Sequence, residues 1–369
     1  MRIAHVCNWT PGSCGMYETV RDLVAAERKI GVDARIVDVQ STATANVASV
    51  RPVGDPCQRC GNVKLERLTP PEEVPDWTED RGVVKAPVAW MDSVDVVCSH
   101  SGLPAGDIPF GNDKPRVHVA HGRPHSSFLL GQLQNNHVWA AYEGYARDSR
   151  WKALVTLWPG FARYWRLVFP RVEEFQPFVD LDRWAPFESA YKFGGKSGEP
   201  NVVISDVWRG DKDPFHCLFG FAEFALRKPK ARLHLYGLQP RDAKALAPVL
   251  NALSRAGVLG EAVGRVGNLA EVYNAADLLL TPHVIATRTI RESLACGLPV
   301  VAGGRQLYTP YWADPEQPEE FAEVVARCWE DASNHREARR GDARRMAEIM
   351  FDPEATARQF IKLFDEVTR

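Results

Sequence analysis

The chain has 369 residues, 45 Lys and Arg against 47 Asp and Glu, and 45% hydrophobic side chains. That length exceeds one ordinary core and predicts two domains. No window reaches the roughly 18 uninterrupted apolar residues of a membrane helix, and the opening "MRIAHVCNWTPG" lacks the apolar stretch of a secretory signal, so the expected location is the cytoplasm. A net charge of −2 excludes a nucleic-acid coat over the whole surface. Eight irregularly spaced cysteines do not make a disulfide framework; most are expected to be small buried hydrophobes.

The first element is the β-branched run "RIAHVCNW", followed by the turn-rich "TPGSCG" and by "MYETVRDLVAAERKIG", whose apolar residues recur at helical spacing before a glycine stop. "DARIVDVQ" is a second buried strand, so the start of the chain is a βαβ unit of a parallel sheet with a right-handed crossover. Residues 41–92 are rich in Pro, Asp and Glu with weak periodicity and read as an irregular insertion. "SVDVVCSH" and "RVHVAHG" resume the strands, each ending in a histidine where the chain leaves the sheet. "ALVTLWPGFARYWRLVFP" supplies another strand and helix, and "PFVDLDRWAP" a linker whose Asp180 and Asp182 fit turn chemistry better than a metal pair.

A second α/β series follows. "NVVISDVW", "ARLHLYG", "LLLTPH" and "PVVAGG" are strands, and "PFHCLFGFAEFALRKP", "LAEVYNAAD" and "TRTIRESLACG" are helices. Two doubly wound domains facing each other across a linker would place a ligand cleft at the carboxyl ends of both sheets.

Charge is spread unevenly. Residues 114–171 carry nine basic and two acidic side chains, together with Trp139, Tyr142, Tyr145, Trp151, Trp158, Tyr164 and Trp165. Basic groups beside stacking rings suit nucleic acid, an anionic membrane surface or an acidic glycan, and part of the aromatic set must be core. "CQRCG" has the spacing of a zinc knuckle at Cys57 and Cys60, with Cys98 and His100 as the distant partners it would need; free thiols are the competing reading.

The segment "GNLAEVYNAADLLLTPHVIATRTIRESLACGLPVVAGG" resembles the donor-binding half of GT-B glycosyltransferases of the retaining family-four type. The likeness extends along the chain: "GSCGMYETVRDLV" is similar to the family's first glycine loop and helix, "VDVVCSHSGLP" and "RVHVAHG" to its histidine-ended strands, and "FDPEATARQFIKLFDEV" to a terminal helix crossing back to the first domain. It implies two facing Rossmann-like domains: residues 1–176 on the acceptor side, 177–350 on the nucleotide-sugar side, and 351–369 as the crossing helix.

The resemblance also implies roles. Glu292 matches the carboxylate aimed at ribose hydroxyls. Arg209 and Lys212 match the loop that neutralises the diphosphate, with Arg288 and the amides near Thr287 and Thr289 adding positive field. Gly12 and Gly15 let backbone approach the donor. His121 matches the histidine pointed at the donor sugar, and His100, Arg123 and His125 fall on the acceptor side. The family's first glutamate lies eight positions before Glu292, where this chain has Val284, and the adjacent His283 stands in for it. The implied reaction is retaining transfer from a nucleoside-diphosphate sugar, a UDP-sugar foremost, to the hydroxyl of a glycan or lipid-linked acceptor. No metal or cofactor is implied. Transfer to a hydroxymethylated pyrimidine in DNA, an epimerase and a catalytically silent sugar-nucleotide-binding protein remain open.

Overall fold

The computed structural model describes residues 1–7, 15–37, 90, 92–101, 111, 113–121, 144, 146–193, 198–206, 215–238, 240–264 and 266–369. They form two compact units, the first comprising Met1–Phe178 with Pro353–Arg369 and the second Val179–Asp352.

In the first unit, β1 (Arg2–Cys7) leads to α1 (Gly15–Lys29) and β2 (Asp33–Val37). Then come β3 (Val96–Ser101), β4 (Arg116–Ala120), β5 (Trp151–Thr156), the single turn α2 (Ala162–Trp165) and β6 (Val172–Glu174). The described strands form one parallel sheet in the order β2-β1-β3-β4-β5-β6.

Because side chains alternate along a strand, β1 sends Ile3 and Cys7 into one core and Ala4 and Val6 into the other, and β3 divides Val96 and Cys98 from Val97 in the same way. The first core is closed by α1, through Tyr17, Val20, Leu23 and Val24, and by the terminal helix Pro353–Thr368, through Ala357, Phe360, Leu363 and Phe364. Phe360 is fully buried and meets Phe175 edge-on, with ring centroids 4.9 Å apart. The chain's last helix therefore completes the core that its first strand begins.

The second unit runs β7 (Asn201–Ser205), α3 (Phe215–Arg227), β8 (Arg232–Tyr236), α4 (Pro240–Arg255), β9 (Leu259–Ala262) and α5 (Leu269–Ala275). It continues with β10 (Leu278–Leu280), α6 (Arg288–Ala295), β11 (Val300–Val301), α7 (Pro318–Asn334) and α8 (Arg336–Met350). The sheet is again parallel, in the order β11-β10-β7-β8-β9. Strand β7 shows the two-sided burial directly: Val202 and Ile204 enter the core with α3 and α7, and Val203 enters the core with α6 and α8. Gly220 of α3 lies against Phe321 of α7, where an added Cβ would come within 2.5 Å of the ring.

Three long helices that apolar patterning alone did not single out, α4, α7 and α8, complete the layers. Asp180 has the turn role expected of it: its Oδ1 accepts the backbone N–H groups of Asp182 and Arg183 at 3.0 and 2.9 Å. No described helix is long and apolar enough to cross a membrane.

If the terminal helix is part of the first core, Phe360→Ala should cost that unit about 3–5 kcal/mol. Urea unfolding followed by circular dichroism checks this; a loss below about 1 kcal/mol would place the helix outside the core.

Candidate functional site

In a parallel sheet every strand ends on the same edge, and the loops leaving that edge carry the chemistry. In the second unit this edge gathers Asp206 after β7, Thr281 to His283 after β10, and Gly303 after β11. Asp206 Oδ2 lies 2.5 Å from His283 Nε2, and both side chains are only 5% exposed. The His283 backbone N–H donates to Thr281 Oγ1 at 3.3 Å, fixing the loop just past the strand. Gly303 presses on that loop, since a Cβ there would sit 2.0 Å from the Pro282 carbonyl oxygen. Only glycine permits this approach. Val284, at the position of the family's first glutamate, is half exposed.

Helix α6 starts at the same edge with Thr287 as its N-cap residue. The Thr287 and Thr289 hydroxyls are 3.2 Å apart, and the Thr287 carbonyl accepts the Arg291 N–H at 3.1 Å. The amides of a first helical turn have no partner within their own helix, and the helix dipole is positive there, so this end favours an anion. One turn in, Glu292 is buried and paired with Arg288, Nε to Oε1 at 2.5 Å. Burial raises the neighbouring acids and the Glu292 charge adds to the effect: the Tyr273 hydroxyl is pushed well up, and the Cys296 thiol to about 12.

The far end of α6 is closed by a Schellman arrangement. Gly297, at φ 75°, donates to the Leu294 carbonyl at 2.9 Å, and Leu298 donates to that of Ser293 at 2.9 Å. Two arginines of α8 cap what remains: Arg340 Nη2 donates to the Cys296 carbonyl at 3.1 Å and Arg344 Nη1 to that of Ala295 at 2.9 Å. Arg340 also holds the Ala276 carbonyl after α5, and Arg344 the Leu181 and Trp184 carbonyls.

The first unit has its own constellation. His5, Cys98 and His100 lie on one face of β1 and β3, and the parallel register sets His5 beside Cys98 and Cys7 beside His100. His5 Nε2 is 2.7 Å from Glu27 Oε2 on α1, His5 Nδ1 is 2.9 Å from His100 Nε2, and His100 Nδ1 is 3.0 Å from His121 Nε2. Glu27 and His5 are fully buried and His100 is 1% exposed. His121 is half-buried just past β4, and its carbonyl accepts Trp158 Nε1–H at 3.2 Å.

Of the expected site residues, Thr287, Arg288, Thr289, Glu292 and His283 gather at the α6 edge, while His121 ends the histidine chain. Gly15 opens α1, its carbonyl accepting the Thr19 hydroxyl at 2.7 Å. His100, expected on the acceptor side, is interior: strand alternation points it into the core, so it offers no surface to an acceptor. Gly12, Arg123, His125, Arg209 and Lys212, and the cysteines Cys57 and Cys60, lie outside the described residues. His5, Glu27 and Asp206 were missed. Their signals were there: Glu27 interrupts the apolar stripe of α1, His5 stands inside a continuous buried strand, and Asp206 follows a strand's last residue.

Among the described residues, His5, Cys98 and His100 are grouped closely enough for a metal, with donor atoms within 4.8 Å of one another. The four ring nitrogens of His5 and His100 each already have a hydrogen-bond partner, and burial with the nearby Glu27 charge pushes the Cys98 thiol well up. The group is a hydrogen-bonded chain. The basic segment is likewise partly occupied: Arg116 is buried against Trp151, Arg150 is held by Asp148, and Arg171 by Glu173 and Glu366. Trp151 and Trp165 are core, whereas Tyr164 is 40% exposed under the Arg163 guanidinium at 4.8 Å.

Residues 217–331 match the family described as Glycosyl transferases group 1. No curated protein matches the sequence. Among solved structures, HepE of Anabaena, described in complex with UDP-glucose, aligns at TM-score 0.66 with 14% identity over 99% of this chain and 100% of its own. Sucrose-phosphate synthase from Thermosynechococcus elongatus aligns at 0.66 with 16% identity over 99% and 98%. WaaG, described as a glycosyltransferase involved in lipopolysaccharide biosynthesis, aligns at 0.61 with 16% identity over 99% of both. The chain has the GT-B fold. In this GT-B chain the family match runs from within α3 to within α7, and so includes α6, Glu292 and the His283 loop.

Burial also sets cysteine reactivity, since thiolate is the reactive form. Cys98, Cys296 and Cys328 should resist iodoacetamide in the native protein at neutral pH and react fully in urea, as read by mass spectrometry of the modified peptides. Labelling of Cys296 at the rate of a free thiol would show that its pocket opens.

Proposed function

We propose that this protein is a glycosyltransferase that moves a sugar from a UDP-sugar to an acceptor hydroxyl with retention of anomeric configuration. The observation that carries the reading is the overlap of the family match at residues 217–331 with the sheet edge that builds an anion-ready helix start beside a fixed carboxylate.

Breaking the bond between sugar and diphosphate develops negative charge on the departing phosphate and positive charge at the anomeric carbon. Preorganised donors facing the phosphate lower that barrier most. The amides and hydroxyls of Thr287 and Thr289, together with Arg209 and Lys212, supply those donors. Arg288 holds Glu292 in position, and Glu292 accepts the ribose hydroxyls. His283, kept in place by Asp206, reads the sugar where the family's first glutamate would, and His121 matches the histidine that the family resemblance assigns to the donor sugar. The departing phosphate takes the acceptor proton on the same face, so the reaction needs no separate nucleophile and no metal.

A glycan or lipid-linked acceptor is the favoured class, supported by the likeness to WaaG, itself described as acting in lipopolysaccharide biosynthesis. A second reading, transfer to a hydroxymethylated pyrimidine in DNA, rests on the nine basic and two acidic side chains of 114–171 and on the exposed Arg163 and Tyr164 pair.

Glu292→Ala and Lys212→Ala should each lower transfer at least about a hundredfold while leaving the circular dichroism spectrum unchanged. Release of UDP from a donor panel, with and without acceptor and in EDTA, measures this. Near-normal turnover in either variant would sink the donor assignment, and loss of turnover in EDTA would sink the metal-free mechanism. For DNA as acceptor, binding should weaken with salt at a log–log slope of several units. A flat response removes that reading.

A further inference from the structure

Cys98 and His100 are the residues that the "CQRCG" motif would need as distant partners, and the sheet gives them a partner of their own. They stand two positions apart on β3, so both side chains leave the same face, and the parallel register sets His5 of β1 beside Cys98. Cys7 follows on β1, across from His100. Each of two neighbouring strands therefore brings one histidine and one cysteine to one face of the sheet. His5 and Cys98 are fully buried, and His100 and Cys7 are 1% exposed.

The hydrogen-bonded links through these rings are of two kinds. The outer links run away from the group: His5 Nε2 lies 2.7 Å from Glu27 Oε2, and His100 Nδ1 lies 3.0 Å from His121 Nε2. The inner contacts meet at one atom. His100 Nε2 is 2.9 Å from His5 Nδ1 and 3.3 Å from Cys98 Sγ, and donor atoms of the three residues all lie within 4.8 Å of one another. A hydrogen bond joins two such atoms, whereas a metal ion joins all three.

The spacing suits an ion. Zinc bonds imidazole nitrogen at about 2.0–2.1 Å and thiolate at about 2.3 Å, so tetrahedral angles separate two nitrogens by about 3.3 Å and a nitrogen from a sulfur by about 3.6 Å. The inner contacts, at 2.9 and 3.3 Å, fall within about 0.4 Å of that geometry. The outer links then have the role such sites give them: a ligating imidazole presents one nitrogen to the ion and its other N–H to a carboxylate or similar acceptor, which fixes the ring. Glu27 fits that role, since it is fully buried on α1 and His5 is its one hydrogen-bond partner among the described residues. Two imidazoles and a thiolate are the donor set of a borderline or soft ion, zinc foremost, and not of magnesium or calcium. Cys98 binds as the thiolate, and its proton passes to solvent as the ion arrives.

We propose that His5, Cys98 and His100 bind a structural zinc ion in the core of the first unit, with Glu27 orienting His5. The ion ties β1 to β3 beneath the terminal helix, whose Phe364 meets His5 edge-on with ring centroids 6.3 Å apart. Cys7 is the further donor that the register offers for the fourth position. Because the ligands are closed to solvent, the ion enters while the unit folds, and EDTA does not reach it afterwards. It takes no part in sugar transfer.

The test is the full chain unfolded in urea and refolded with cobalt(II), a coloured stand-in for zinc. The refolded protein should keep one equivalent after passage over a chelating resin and show the charge-transfer absorption of a cobalt–thiolate bond. Cys98→Ala should lose that absorption and the retained metal. Glu27→Gln should keep the absorption and bind the ion about 10–100-fold more weakly. Cys57→Ser combined with Cys60→Ser should change neither, which separates this site from the knuckle motif.

A wild-type protein that retains no metal after refolding with zinc or cobalt overturns the proposal, as does an absorption that survives Cys98→Ala or vanishes with Cys57 and Cys60. X-ray absorption of the wild-type zinc form needs no variant to fold: nitrogen at about 2.0 Å together with sulfur at about 2.3 Å is expected, and a shell of sulfur alone would sink the assignment.

Discussion

A strand buried on both faces has nowhere to put a polar side chain except inside, and β1, β4 and β7 are such strands over most of their length. A polar residue at a buried position of the sheets must therefore find its partner in the core or at the carboxyl edge where the chain turns out. Asp206 meets this demand at the edge, by pairing with His283. His5 and His100 meet it in the interior, by pairing with each other, with Glu27 and with His121. The chemistry of each unit is thus concentrated where a parallel sheet leaves polar atoms no alternative.

The same constraint explains what could be seen in the sequence. The βαβ opening, the strands ending near His100 and His121, and the second α/β series all show as apolar runs, because two-sided burial demands them. The α6 segment was legible for a different reason, since a short loop followed by "TRTIRESLACG" spells out a helix start, a carboxylate one turn in and a glycine stop. Helices α4, α7 and α8 carry many charges and small residues, so their apolar stripes are thin and pass unnoticed in a reading that looks for runs. The direction of a side chain was harder still. His100 and His121 look alike at two strand ends, yet one lies within the ladder and the other just beyond it, and that difference of two register positions separates a core residue from an edge residue.

Partnerships between distant elements could not be read at all. Glu27 comes 22 residues after His5, and only the packing of α1 over β1 brings them together. Similarly, the positive charge of segment 114–171 is a property of the sequence, whereas the use of Arg116, Arg150 and Arg171 in internal pairs is a property of the fold. Counting charges overstated how much of that segment is available to a ligand.

Helix α6 is short, eight residues, and a helix of two turns has little hold on its own position. Its far end is nevertheless tied by Arg340 and Arg344 to the same carbonyl network that anchors α5 and the turn at Leu181 and Trp184. The two guanidinium groups work as a hinge pin: they set the tilt of the helix from its carboxyl end. The entropy of holding the first-turn amides still is thus spent when the chain folds, and the dipole at the opposite end is aimed before anything binds there.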